Sequence, residues 1–301
     1  MNKSIDVLKK IYKPYRYTKK GNTTIIYSTS GDFVIKEENK NIKELYSYLK
    51  SRNFDNFPNI LDDSRKNINV YEYLNDTSYP KEQRANDLIN LVTKLHYKTS
   101  FFKDVTEDKY KEIYDSILSN IRYLNERYDL YFDSFFKEVY NSPSHYLFQR
   151  NYTKLKNNLK FCENELNNWY DIVKSKKNVR VAVIHNNLSL SHFIKSDKDY
   201  LISWNNSCID SPIIDIVKFY KKEYFDINFD NLLKTYLNNF KLNNDEKKLL
   251  FVLLTLPDEI IFDKDEFKSC LNTEKVLDYV YKTENLIRPY YLENQKEENT
   301  N

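Results

Sequence analysis

The alternation of apolar and polar residues begins as strands. Residues 15–36 read as a hairpin: TTIIYST at 23–29 is β-branched and apolar, SGD is a turn, and FVIKEE at 33–38 resumes the strand. Gly31 stands where a tight turn needs it. Ile42, Leu45, Tyr46 and Leu49 then recur at helical spacing, and FPNIL and NINVYEYL read as two further strands. Residues 1–75 are therefore expected to form a small α+β lobe, an antiparallel sheet with one helix.

From residue 84 the period changes to that of helices. Leu88, Leu91, Val92 and Leu95 share one face. Tyr110, Tyr114, Ile117, Ile121, Leu124, Tyr128 and Tyr131 alternate steps of four and three, SPSH interrupts at 142–145, and a second such seam follows at Leu155, Leu159, Cys162, Leu166, Trp169 and Val173. Two seams joined by a break predict an antiparallel helical hairpin over about 107–175; the seams read as core packing, with a groove for a partner helix as the alternative. The only strands expected in the second half are a pair within 179–205. Helices are expected at 213–225, 229–240, 245–256 and 273–287. A helical region over 76–292 would end in a disordered tail at 293–301, where ENQKEENTN has no apolar content.

Composition narrows the function. Charged residues are 30% of the chain with a net charge of +3, and the signs are interleaved, which predicts no nucleic-acid partner. Two glycines in 301 residues, against a usual ~7%, leave no glycine-rich loop of the Rossmann or P-loop kind. Cys162, Cys208 and Cys270 make no metal-binding spacing and read as free thiols. LLFVLLTL at 249–256 is too short to span a bilayer, and MNKSIDVLKKIYK lacks the apolar stretch of a secretion signal. A cytoplasmic protein with no membrane insertion is expected.

The chemistry concentrates in two strands: VIHNNLSLSHFI at 183–194 and YLISWNN at 200–206. Together with FVIK ending at Lys36, Glu44 on the next helix, VYEYL at 70–74, LVTKLH ending at His96 and SPIIDIVKFY at 211–220, these segments resemble, in order and spacing, the aminoglycoside phosphotransferase and choline kinase branch of the protein-kinase-like fold. Within it the chain is most similar to CotS-like spore-coat-associated proteins. The resemblance implies a two-lobed α+β fold, with a small antiparallel-sheet lobe and a large, mainly helical one. It implies ATP and magnesium as the family's cofactors. It places Lys36 at the nucleotide phosphates with Glu44 as its ion-pair partner, and Glu72 in the connector beside the adenine. Asp215 would brace the loop, and Pro212 matches the closing segment; His96 caps an apolar helix face and reads as a bonded packing residue.

The same alignment shows departures. His185 matches the loop histidine, but Asn186 stands at a position that is glycine in many relatives. Asn187 replaces the family's catalytic Asp. His192 and Ser203 stand at its two metal-ligand positions. An Asn amide can hold an acceptor hydroxyl but has no useful basicity, and a positioned base is worth roughly 10²–10⁴ in rate. Magnesium wants hard oxygen ligands, usually with one or two carboxylates, and neither matched position offers one. Asp210 would restore an acid if its loop folded back; Asp197 and Asp199 fall in the turn beyond the site. Zinc on His185 and His192 lacks further ligands. His145 reads as loop and Trp204 as a core plug. The expectation is a catalytically degenerate kinase-fold protein, a pseudokinase, acting as a binding or scaffold module through the hairpin or the old cleft, with a spore-coat or forespore location by analogy. The alternative is an active ATP-dependent small-molecule phosphotransferase with an unconventional metal site.

Overall fold

The computed structural model describes residues 14–38, 41–65 and 67–298; the N-terminal segment 1–13 and residues 299–301 lie outside them. Strands β1 (Arg16–Lys20), β2 (Thr23–Ser28) and β3 (Gly31–Glu37) form an antiparallel meander. Its turns use the two glycines, at φ +57° for Gly21 and +122° for Gly31. β4 (Ile60–Arg65) and β5 (Ile68–Glu72) complete a five-stranded sheet in the order β1-β2-β3-β5-β4. Alternation decides its faces. Ile26, Ile35, Ile68 and Val70 form a buried cluster on one side, while Ile25 and Val34, paired across β2 and β3, face the other.

Helix α1 (Ile42–Ser51) starts where the Asn41 side chain accepts the Glu44 amide, and it buries Ile42, Tyr46 and Leu49. Helix α2 (Lys81–Thr99) buries Leu88, Leu91, Val92, Leu95 and, at its end, His96. Strand β6 (Phe101–Asp104) leads into the hairpin of α3 (Glu107–Phe136) and α4 (Pro143–Val173). The SPSH break is a helix start: the Ser142 hydroxyl caps the His145 amide and Pro143 opens the first turn. His145 is thus helical, not loop, and stacks on Phe135 at 3.5 Å between ring centroids. Every residue of the α4 seam is buried, in one cluster with Ile121, Leu124 and Tyr128 of α3.

β7 (Asn178–Ile184) pairs with β6 at its start and with β10 (Cys208–Asp210) at its end. β8 (Phe193–Lys195) and β9 (Asp199–Leu201) make a small hairpin. The sequence predicts only a strand pair here; β6, β8 and β10 are each three or four residues long, too short to show a period. α5 (Ile213–Glu223), α6 (Asp230–Asn239), α7 (Asn244–Thr255) and α8 (Glu266–Glu298) follow. α8 continues past residue 293, where disorder is expected: polar helix formers extend a helix that its preceding turns have already nucleated. By packing, the chain falls into two compact units, one up to Ser100 with Ala182–Asp215, the other Phe101–Val181 with the residues from Ile216 on. The boundary expected at residue 75 lies inside the first.

Candidate functional site

The loop after β7 is organised by one carboxylate. Asp215, in the first turn of α5, accepts the His185 amide at 2.8 Å through Oδ2 and the Asn186 amide at 2.6 Å through Oδ1. His96 Nε2 lies 3.1 Å from the same Oδ2. His96, His185 and Asp215 are all fully buried. His185 Nε2 donates to the Ile202 carbonyl at 2.8 Å, which places its proton on that nitrogen and leaves Nδ1 buried without a hydrogen-bond partner. Burial pushes the His185 pKa down, so the ring is neutral. Asn186 sits at φ +60°. That left-handed corner explains the glycine of the resembling motif, and asparagine is among the residues that tolerate it best. The Asn186 side-chain amide donates to the Asn206 carbonyl at 3.0 Å.

Beyond the corner, a short 3₁₀ turn at Leu190–His192 precedes β8, and His192 Nδ1 contacts the Asn187 carbonyl oxygen at 2.7 Å. Arg84 of α2 holds this region by donating to the Leu190 carbonyl at 3.1 Å and to the carbonyl of Phe193. Asn56 holds β9: its side chain donates to the Asp199 carbonyl at 2.7 Å and its own carbonyl accepts the Leu201 amide at 2.9 Å. Ser203 follows at φ +69°.

A cavity of about 430 Å³ opens between the exposed face of the five-stranded sheet and the β8–β9 region. The sheet supplies its wall in rows. Ile25, Val34 and Tyr71 are cross-strand neighbours in one row, and Thr23, Lys36 and Asn69 in the next. Ile194, Ile202, His192 and Ser203 stand opposite, with Glu72, Tyr73 and Leu74 of the connector and Lys20 at the margins. The space between Lys36 and Ser203 is open, not filled by side chains.

Lys36 does not meet Glu44. Its ammonium lies 3.5 Å from Glu38 Oε1, and Glu44 is exposed on α1, bonded to Asn41. The two-residue strand period explains this: Glu38 projects from the same face as Lys36, past the end of β3. Glu38 is buried and also accepts from Asn69 at 2.6 Å and from the Tyr71 hydroxyl. Burial lowers the Lys36 pKa, against the opposing effect of Glu38, and burial with the Glu38 charge raises that of Tyr46. The sequence signal for Glu38 is present in FVIKEE: Lys36 and Glu38 share strand parity. The Glu72 carboxylate is engaged with the Asn59 backbone and side-chain amides at 2.8 and 2.9 Å.

Of the residues singled out from sequence, Lys36, Glu72, His192 and Ser203 line the cavity. His96, His185 and Asp215 form the buried brace, and Asn187 contributes its carbonyl to His192. Asp210 is exposed on β10 opposite Ala182, three residues before His185, and bonds the Ser211 amide; it does not line the cavity. Asp199 pairs with Lys195 and Asp197 accepts from Tyr200. Magnesium, implied by the resemblance, does not fit the donors present. The two matched positions offer an imidazole whose Nδ1 faces a carbonyl oxygen and a neutral hydroxyl. Among the described residues no group of three or more His, Cys, Asp or Glu is disposed to hold a metal. No helix there is long and apolar enough to cross a membrane.

No protein-family model matches the chain, and no curated protein does. Solved structures do. An aminoglycoside phosphotransferase from Alicyclobacillus acidocaldarius aligns with 92% of this chain and 92% of its own, at TM-score 0.62 and 10% identity. A spectinomycin phosphotransferase in its AMP-bound complex aligns with 93% of this chain and 97% of its own, at TM-score 0.52 and 11% identity. A choline kinase from Streptococcus pneumoniae shows a slighter likeness, TM-score 0.47 at 13% identity over 94% and 97% of the two chains. The chain thus shares the kinase-like fold of the aminoglycoside phosphotransferases, an antiparallel-sheet N-terminal region followed by a helical C-terminal region.

Proposed function

We propose that this protein is a pseudokinase: a kinase-fold module that binds a nucleotide-class ligand in the Lys36 cavity and does not transfer phosphate. The observation that carries the reading is the pairing of an open cavity with an amide, an imidazole and a hydroxyl at Asn187, His192 and Ser203. The apolar row of Ile25 and Val34 opposite Ile194 and Ile202 suits a flat base, and Lys36 offers a cation one row away. Asn187 supplies no base where the family has its Asp, and none of the three matched positions supplies a carboxylate ligand. The output of such a module is binding: Asp215 braces the loop through the His185 and Asn186 amides, and a ligand in the cavity would stabilise the folded chain. The sequence resemblance to CotS-like proteins adds a location, the spore coat or forespore, to be tested by fractionating sporulating cells of the source organism.

The deciding assay offers ATP with Mg²⁺ or Mn²⁺ to the purified chain together with a sugar, choline or an aminoglycoside. No phosphorylated product above a heat-inactivated control is expected. Metal-dependent turnover that disappears in Lys36→Ala would overturn the reading in favour of a working small-molecule phosphotransferase.

A further inference from the structure

Building on that reading of the cavity, we propose that its ligand is a nucleoside carrying at most one phosphate, held without a divalent cation. Three observations converge. First, the formal charges lining the cavity cancel: Lys20 and Lys36 against Glu38 and Glu72. A triphosphate brings a multiply negative tail. Where magnesium is held by carboxylates that charge is offset, and here the matched positions are His192 and Ser203.

Second, the rows fix the spacing. Lys36 lies two residues along β3 from Val34, about 7 Å at roughly 3.3 Å per residue. That distance separates a base under the Ile25–Val34 row from a first phosphate beside Lys36. The next residue on that face is Glu38, a buried carboxylate held by Asn69 and Tyr71. Further phosphates would meet like charge where the interior screens it weakly. Third, Lys36 is largely spoken for. Glu38 neutralises it at 3.5 Å, and burial weakens its hold on the proton. Lys20 is exposed at the end of β1, where water and salt screen its charge.

Calorimetric titration of the full chain with adenosine, AMP, ADP and ATP, each in EDTA and in Mg²⁺, tests the proposal. Adenosine or AMP is expected to bind with an affinity that the metal does not change, and ATP at least about tenfold more weakly than AMP. Glu38→Gln keeps an acceptor for Tyr71 and Asn69 while removing the charge, and is expected to narrow the AMP-to-ATP gap by about tenfold. A purely structural role for Glu38 would leave that ratio unmoved and count against the proposal. Val34→Trp, which intrudes on the apolar row where the base would lie, is expected to abolish binding with the fold retained by circular dichroism. Tighter binding of magnesium-ATP than of AMP, without turnover, would overturn this ligand class and leave the pseudokinase reading standing. Failure of all four compounds to bind would overturn the nucleotide cavity itself.

Discussion

Lys36 and Glu38 meet at 3.5 Å from the same face of one strand, and the helix carboxylate Glu44 takes no part in that contact. Removing one member of a buried pair costs more than the pair itself contributes, typically about 3–5 kcal/mol. Glu38→Ala, which also strands the Tyr71 hydroxyl and the Asn69 amide, should lower stability by about 3 kcal/mol. Glu44→Ala should cost about 0.5 kcal/mol through the weakened start of α1. Urea denaturation of the two variants side by side measures the contrast; equal losses would reassign the ion pair.

Asp215 is the hub of the loop, and its loss should be felt at defined atoms. Asp215→Ala removes the acceptor of the buried His185 amide and of the part-buried Asn186 amide, and the contact with His96. Each unsatisfied buried donor costs about 1–3 kcal/mol, so a total of about 3 kcal/mol or more is expected. Hydrogen exchange should show the His185 and Asn186 amides losing protection before those of the α4 core do.

Acid should weaken the fold through His185. Its folded pKa lies below the ordinary 6.5 because burial opposes the charge. The unfolded chain therefore binds the proton more readily. The contribution is neutral to pH above about 6.5 and destabilising as pH falls through that value toward the folded pKa. Melting temperature should decline from about pH 6.5 to 5, and the slope should be shallower in His185→Gln. An identical slope in that variant would place the acid sensitivity elsewhere.

Asn186 occupies a left-handed corner at φ +60°. Asn186→Gly should be tolerated within about 1 kcal/mol, losing the exposed side-chain contacts with the Asn206 carbonyl and Cys208 Sγ and gaining freedom of φ. Asn186→Val should cost about 2 kcal/mol, because β-branched residues are strained there. Thermal unfolding of the pair separates backbone strain from the lost hydrogen bond.

Restoring acids tests whether only the metal ligands were lost. The triple variant Asn187→Asp, His192→Asn and Ser203→Asp should acquire magnesium-dependent ADP binding, read as a metal-specific rise in melting temperature. Ser203 already lies at φ +69°, a conformation that Asp accepts. A folded triple variant indifferent to magnesium would show that ligand identity was not the missing element.

The long periods were the most legible part of the chain. Every residue of the Leu155–Val173 seam is buried, since a repeat sustained over about five turns leaves one solution for the buried face. The hairpin through Gly31 was equally plain, because few residues permit that turn. FFKD and CID were missed: Phe102 and Ile209 remain 64% and 55% exposed, so these strands exist by pairing with β7 rather than by burying a face. The braces at Asp215 join residues 119 positions apart, a distance no local pattern spans; resemblance to a known arrangement pointed to them. Glu38 was legible but passed over, because the helix acid offered a ready partner for Lys36. In α8, the lack of apolar residues after 292 suggests disorder where an established helix carries polar residues onward.

Among the described residues asparagine stands at three left-handed corners, Asn53, Asn67 and Asn186, and glycine at two. Outside the native state, a side chain at such a corner denies the coil much of the conformational latitude that glycine would enjoy. The denatured ensemble is correspondingly narrower, an effect on the order of 0.4–1 kcal/mol per compatible position. This molecule therefore draws part of its stability from the state it leaves, at places where its folded contacts record nothing of it.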